Sequence, residues 1–180
     1  MKCVINRGMQ DLVEAKYGTD AWEEIKMLAG CDELFFVIGE EYPNQRILGL
    51  VEAASNVAGL SGDEVLVELG KHWVLNTGKQ NYPAYYSLAG ASPRDFVLNL
   101  DRLQFDVTSG GNSRGAPRFR YEELSDGKVL VHYHSTCGFC AVLRGVIQGI
   151  GLLFNQEIGV RETGCKENGK SHCTMEVTFS

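Results

Sequence analysis

Apolar residues recur near a 3.6-residue period in four segments of the first half: Gln10 to Tyr17, Asp20 to Leu28, Asn44 to Ala58 and Gly62 to Thr77. Gly18, Gly30, Pro43 and the stretch Gly59 to Gly62 interrupt them, so the pattern predicts short helices separated by turns. A sharper start signal stands at Ser92-Pro93. There an N-cap serine, a proline in the first helical position and Asp95 in the first turn predict a helix reaching Val107. Beyond it, Thr108 to Gly115 is rich in serine and glycine and reads as a loop ahead of Pro117. Arg118 to Leu124 and Lys128 to Ser135 then form two strands of a hairpin around Ser125-Asp126-Gly127. Phe139 to Phe154 is an apolar helix whose Gly145, Gly149 and Gly151 permit close packing, and strands at Gln156 to Thr163 and Cys173 to Phe179 complete a sheet. Helices first and an antiparallel sheet afterwards make the fold class α+β.

At 180 residues, 44% hydrophobic and 22% charged, the chain suits one compact domain with a sizeable core and room for an internal pocket. A formal charge of -6 argues against nucleic acid or a membrane surface as partner, since both call for a basic face. No run approaches the roughly 20 apolar residues of a spanning helix. Met1 to Arg7 lacks the apolar core of a signal peptide, so the expected setting is cytoplasmic. Six cysteines in that setting are thiols or metal ligands rather than a disulfide framework.

Four of those cysteines fall in the last quarter. Cys137-Gly138-Phe139-Cys140 is followed by Cys165 and, across a turn with Gly169, by Cys173. Thiolates at such spacing can converge on a tetrahedral zinc ion, with Cys137 or His172 as the fourth ligand. The plainer reading has Cys140 packed in the core and Cys165 and Cys173 as incidental loop thiols. Cys3 and Cys31, far away in sequence, are expected to be buried thiols.

In the helix from Pro93, the stripe Val97, Leu100, Gln104, Val107 contains one polar residue, Gln104. It either borders the apolar face, bonded to backbone or water, or faces a cavity. Period two along the second strand puts Tyr133 and Ser135 on one face and His132 and His134 on the other. His72, with no second ligand spaced to it, reads as a helix-surface histidine.

The segments Met1 to Gly8, Ala21-Trp22-Glu23, Gly70-Lys71-His72-Trp73-Val74, Phe96 to Leu103 and Tyr133-His134-Ser135 together resemble the H-NOX (haem nitric oxide/oxygen binding) family. That family includes the sensor domain of soluble guanylate cyclase and stand-alone bacterial gas sensors. The resemblance runs the length of the chain. It implies the H-NOX fold, a single sensor domain with a distal helical part over 1–60 and a proximal α/β part over 61–180, and haem held between them. It also implies an iron-ligating histidine where this chain has Gln104. The Tyr-x-Ser-x-Arg clamp for the haem propionates reads Tyr133, Ser135, Cys137 here, while Pro117 matches the proline packed against haem. The C-terminal part is also similar to 4-vinyl-reductase-type ligand-sensing domains. By that comparison Cys140, Cys165 and Cys173 match zinc ligands, and Asn168 falls where a further cysteine often stands.

A glutamine amide is a weak oxygen donor beside an imidazole. A cysteine supplies none of an arginine fork's charge-assisted bonds, each about 1.5–3 kcal/mol. Cys137, on the Tyr133 face, is the best remaining thiolate for haem. Three regulatory readings follow: a haem-free sensor of redox state through zinc thiolates, a haem-based NO or O2 sensor with an altered proximal side, and a sensor of another small hydrophobic ligand. Each would pass its state to a signalling partner such as a histidine kinase or a cyclase. No Ser-His-Asp set, carboxylate pair or phosphate loop can be assembled, so an enzyme is not expected.

Overall fold

The computed structural model describes residues 2–33, 36, 43–107, 117–135 and 139–179. Helix α1 (Lys2–Tyr17) starts well before Gln10, because the buried stripe Ile5, Met9, Leu12, Val13 continues its period toward the N-terminus. It packs with α2 (Thr19–Leu28), α3 (Asn44–Ala58) and α4 (Gly62–His72). Ser61 starts α4 with a reciprocal capping box: its Oγ accepts from Glu64 N at 3.3 Å, and the Glu64 carboxylate accepts from Ser61 N at 2.8 Å.

Where the sequence predicts one helix to Thr77, the chain widens into a π-turn over Trp73–Thr77. Two short helices, α5 (Gly78–Asn81) and α6 (Pro83–Leu88), then follow unforeseen, since Tyr82, Tyr85 and Tyr86 set no clear period. The helix expected from Pro93 to Val107 is divided into α7 (Pro93–Leu98) and α8 (Leu100–Val107). Asn99 divides it, donating from Nδ2 to the carbonyls of Ala89 (3.1 Å) and Asp95 (3.0 Å).

Strands β1 (Arg118–Glu123), β2 (Val129–His134), β3 (Ile158–Gly164) and β4 (Cys173–Phe179) form one antiparallel sheet in the order β1-β2-β4-β3. β3 begins at Ile158 rather than Gln156, because Gln156 N still donates to Gly151 O (2.9 Å) and Asn155 takes φ 54°. Val129, Val131 and Tyr133 of β2 and Cys173, Met175 and Val177 of β4 are buried on the inner face.

Helix α9 (Cys140–Leu153) runs between the two halves of the core. Val142 packs with the apolar residues of α1 to α4, Leu143 and Ile147 pack with those of the sheet and α7, and Val146 touches both groups. It crosses α4 almost without clearance: a Cβ on Gly145 would lie 2.0 Å from Val67 O, and one on Gly70 would lie 2.2 Å from Val142 O. Only glycine admits that approach.

Candidate functional site

A cavity of about 100 Å³ opens where the π-turn, α6, α7, α8, β1, β2 and α9 meet. The π-turn brings in Trp73 and Val74, and the short helices after it add Tyr82, Tyr85 and Tyr86. Phe96, Leu100, Leu103, Phe119 and Tyr133 continue the wall, and Leu143 and Val146 of α9 close it. Asp101 fixes α8 against β1, accepting from Phe119 N (2.9 Å) while its own N–H donates to Tyr121 Oη (3.0 Å). Three residues further on, Gln104 reaches the cavity wall, as its place in the apolar stripe allowed.

Among the described lining residues there is no histidine and no charged group. Tyr86 donates to the Val74 carbonyl at 2.9 Å, and burial holds its phenol well above the usual range, which disfavours a tyrosinate. Of the residues expected beside Gln104, Tyr133 lines the cavity and is fully buried. Pro117 is buried just ahead of β1 but is not among the lining residues, and neither is Ser135, whose carbonyl accepts from Lys166 Nζ at 3.3 Å. Cys137, expected at the clamp and as a zinc ligand, lies outside the described residues. The wall of aromatics between Trp73 and Tyr86 went unread in the sequence, although four aromatic residues in fourteen positions were the available signal.

The second assembly is made of thiols. Cys140 at the first turn of α9, Cys165 after β3 and Cys173 at the start of β4 are all buried, with their sulfurs together. Cys165 Sγ lies 3.8 Å from both Cys140 Sγ and Cys173 Sγ. A tetrahedral ion with Zn–S bonds of about 2.3 Å sets sulfurs about 3.8 Å apart. The third edge, Cys140 to Cys173, is tighter at 2.6 Å. Lys166 N donates to Cys173 Sγ (3.4 Å), and the turn through Lys166–Asn168 closes with Gly169 at φ 81°. Burial, and then the neighbouring Cys173 and Cys165, push the Cys140 thiol far above its ordinary value. A bound divalent cation reverses that preference by holding the thiolate.

His172 does not join this cluster. Its Nε2 sits 3.1 Å from His132 Nδ1 and its Nδ1 is 2.9 Å from Ser171 Oγ, so both ring nitrogens are engaged elsewhere, on the face of the sheet opposite Tyr133. Cys31 is buried, as expected, with Sγ 2.9 Å from Glu33 Oε2, and burial raises its pKa.

The family model described as Haem-NO-binding, HNOB, matches residues 2–162. The chain belongs to the HNOB family. Among curated relatives, soluble guanylate cyclase gcy-35 of Caenorhabditis elegans is 27% identical over 97% of this chain and 26% of its own length. The human guanylate cyclase soluble subunit beta-2 is 34% identical over 49% of this chain and 17% of its own length. The chain thus spans about a quarter of the length of the curated relatives it matches. An H-NOX protein from S. oneidensis, solved in the Fe(II)NO ligation state, superposes with a TM-score of 0.84 at 17% identity, covering 100% of this chain and 99% of that one. An oxygen-binding H-NOX domain related to soluble guanylate cyclases gives 0.82 at 21% identity, over 100% and 95%. The fold is that of H-NOX.

For an HNOB member, the donor set around this cavity is poor in what haem requires. The described walls supply no imidazole for iron and no cation for the propionates, and Gln104 offers an amide. The space, about 100 Å³, is well below the roughly 300 Å³ at which pockets for larger organic ligands begin. The described residues that line the cavity do not fit haem.

Proposed function

We propose that this HNOB domain is a sensory module that works without haem and reports oxidation through a zinc ion held by Cys140, Cys165 and Cys173. The observation that carries the reading is the convergence of three buried thiols, two of whose edges match a zinc–thiolate tetrahedron. Zinc at this site would hold the sulfurs as thiolates and tie α9, β4 and the turn after β3 into one unit. Oxidation by a peroxide would then proceed in two steps. One thiolate attacks the peroxide, forming a sulfenic acid and releasing hydroxide. The thiolate of the closest pair, Cys140 and Cys173, then displaces a second hydroxide to form a disulfide, and the two electrons end on the peroxide oxygens. With two ligands removed, the remaining cysteine would no longer hold the metal and the start of α9 would loosen.

A reducing cytoplasm is the setting in which such thiols stay poised, and no described helix is long and apolar enough to cross a membrane. The signal would pass to a partner protein such as a histidine kinase or a cyclase. The matched relatives named as guanylate cyclases, in which this segment is about a quarter of the length, support that class. A second reading has its own observation: an apolar, aromatic-walled cavity of about 100 Å³ suits a small aromatic molecule.

Visible spectroscopy with elemental analysis of the purified chain tests the main reading. Zinc near one per chain with no Soret band is expected, and peroxide should release the zinc as two thiols disappear. Stoichiometric iron with a strong Soret band would overturn the haem-free reading, and absence of zinc would overturn the metal centre.

A further inference from the structure

On the outer face of the sheet, away from both cavity and thiols, three of the chain's four histidines meet. His132 and His134 stand two residues apart on β2 and so share a face. His172, just ahead of β4, sits against both. Its Nε2 is 3.1 Å from His132 Nδ1, and its ring stacks on His134 with centroids 4.5 Å apart at 28°. We infer that the His132–His172 pair is a second metal site, taking a borderline divalent transition ion such as Ni2+ or Zn2+ between His132 Nδ1 and His172 Nε2, with the His134 ring stacked against His172.

Proton accounting supports the assignment. Glu122 Oε2 lies 3.6 Å from His132 Nε2, an ion-pair distance rather than a hydrogen bond, and a carboxylate there favours the tautomer with its proton on Nε2. The lone pair of His132 therefore points from Nδ1 toward His172. At His172, Ser171 Oγ stands 2.9 Å from Nδ1 and can accept its proton, which frees the Nε2 lone pair for an ion; without one, the 3.1 Å contact is a hydrogen bond that His172 Nε2–H donates to His132 Nδ1. Two imidazole nitrogens bound to one ion at about 2.0–2.1 Å stand roughly 3.3 Å apart in a tetrahedron, close to the 3.1 Å observed. A carboxylate on the far nitrogen of a ligating histidine is the usual second support of such sites, fixing the tautomer and raising ligand basicity. The donors are imidazole nitrogens, the class that suits zinc, nickel and copper over magnesium or calcium. Thr174 Oγ1, 3.3 Å from His132 Nδ1, adds a hydroxyl beside the same point.

The test titrates Ni2+ calorimetrically into the untagged chain and its Cys140→Ser variant. Binding of about one equivalent in both is expected, because the serine substitution leaves every histidine in place and the outcome does not depend on the thiol reading. His132→Asn and His172→Asn should each weaken that binding more than tenfold, and Glu122→Ala by about tenfold. Circular dichroism confirms that these outer-face variants fold. No Ni2+ binding by the untagged chain, or binding that His132→Asn leaves unchanged, would overturn the site. Binding lost in Cys140→Ser but kept in His132→Asn would assign the ion to the thiols instead and overturn it equally.

Discussion

Gly145→Ala tests how α9 is held. A Cβ at this position would stand 2.0 Å from the Val67 carbonyl oxygen and 2.8 Å from its carbonyl carbon. Ordinary contact begins at 3.4 Å, so the two helices must part by about 1.4 Å (3.4 − 2.0), and the obstacle is backbone that cannot swing aside. Overpacking of this kind costs about 3 kcal/mol, which the better helix propensity of alanine offsets by about 1 kcal/mol. The net loss is about 2 kcal/mol, or roughly 4–8 °C in Tm for a chain of this length. Gly49→Ala, in α3, is the internal control: its nearest neighbour would be Ala29 O at 3.7 Å, an ordinary contact. There the same substitution should raise stability by up to about 1 kcal/mol. Equilibrium urea unfolding followed by far-ultraviolet circular dichroism, with a shared slope, measures both. A Gly145→Ala midpoint equal to or above that of the parent would refute the close crossing. Because α9 begins at Cys140, the parted helix also draws one sulfur from its partners, so zinc affinity should fall in the same variant.

Cys140→Ser should reduce bound zinc from about one per chain to near none after dialysis against a weak chelator, by elemental analysis, since three thiolates become two. Burial lowers the pKa of His72 from its ordinary 6.5, with Asp11 opposing and Lys16 assisting. Its contribution to stability is therefore complete above pH 6.5 and lost as pH falls through the lowered folded value, so His72→Gln should flatten the acid limb of a Tm-against-pH curve. Gln104→His combined with Cys137→Arg should raise haem occupancy, read as a Soret band after reconstitution. No gain would show that these positions do not correspond to the ligand and clamp of haem-binding relatives.

The strands were readable because their alternation is clean: Val129, Val131 and Tyr133 inward, Leu130, His132 and His134 outward. Pairing with β1 and β4 fixed that register as the pattern required. Residues 73–88 were not, because a π-turn and two helices of four and six residues are too short to establish a period. Asn99 divides a helix that propensity would continue, through side-chain bonds that depend on where Ala89 happens to lie. For the site, Gln104 and Tyr133 were found by stripe and strand face, and three cysteines by spacing. His172 was placed with those thiols because it adjoins Cys173 in sequence. Neighbours at the start of a strand project to opposite faces, and this pair does so.

That alternation in β2 makes the cavity's chemistry a matter of parity. If a single residue were inserted or deleted before Val129 and the backbone ladder re-formed, every side chain of the strand would change sides. His132 and His134 would turn toward the cavity, whose described walls hold no imidazole, and Tyr133 would turn out to solvent. Histidines already sit one step of pleat away from the interior, and two hydrogen-bonded neighbours keep them outside.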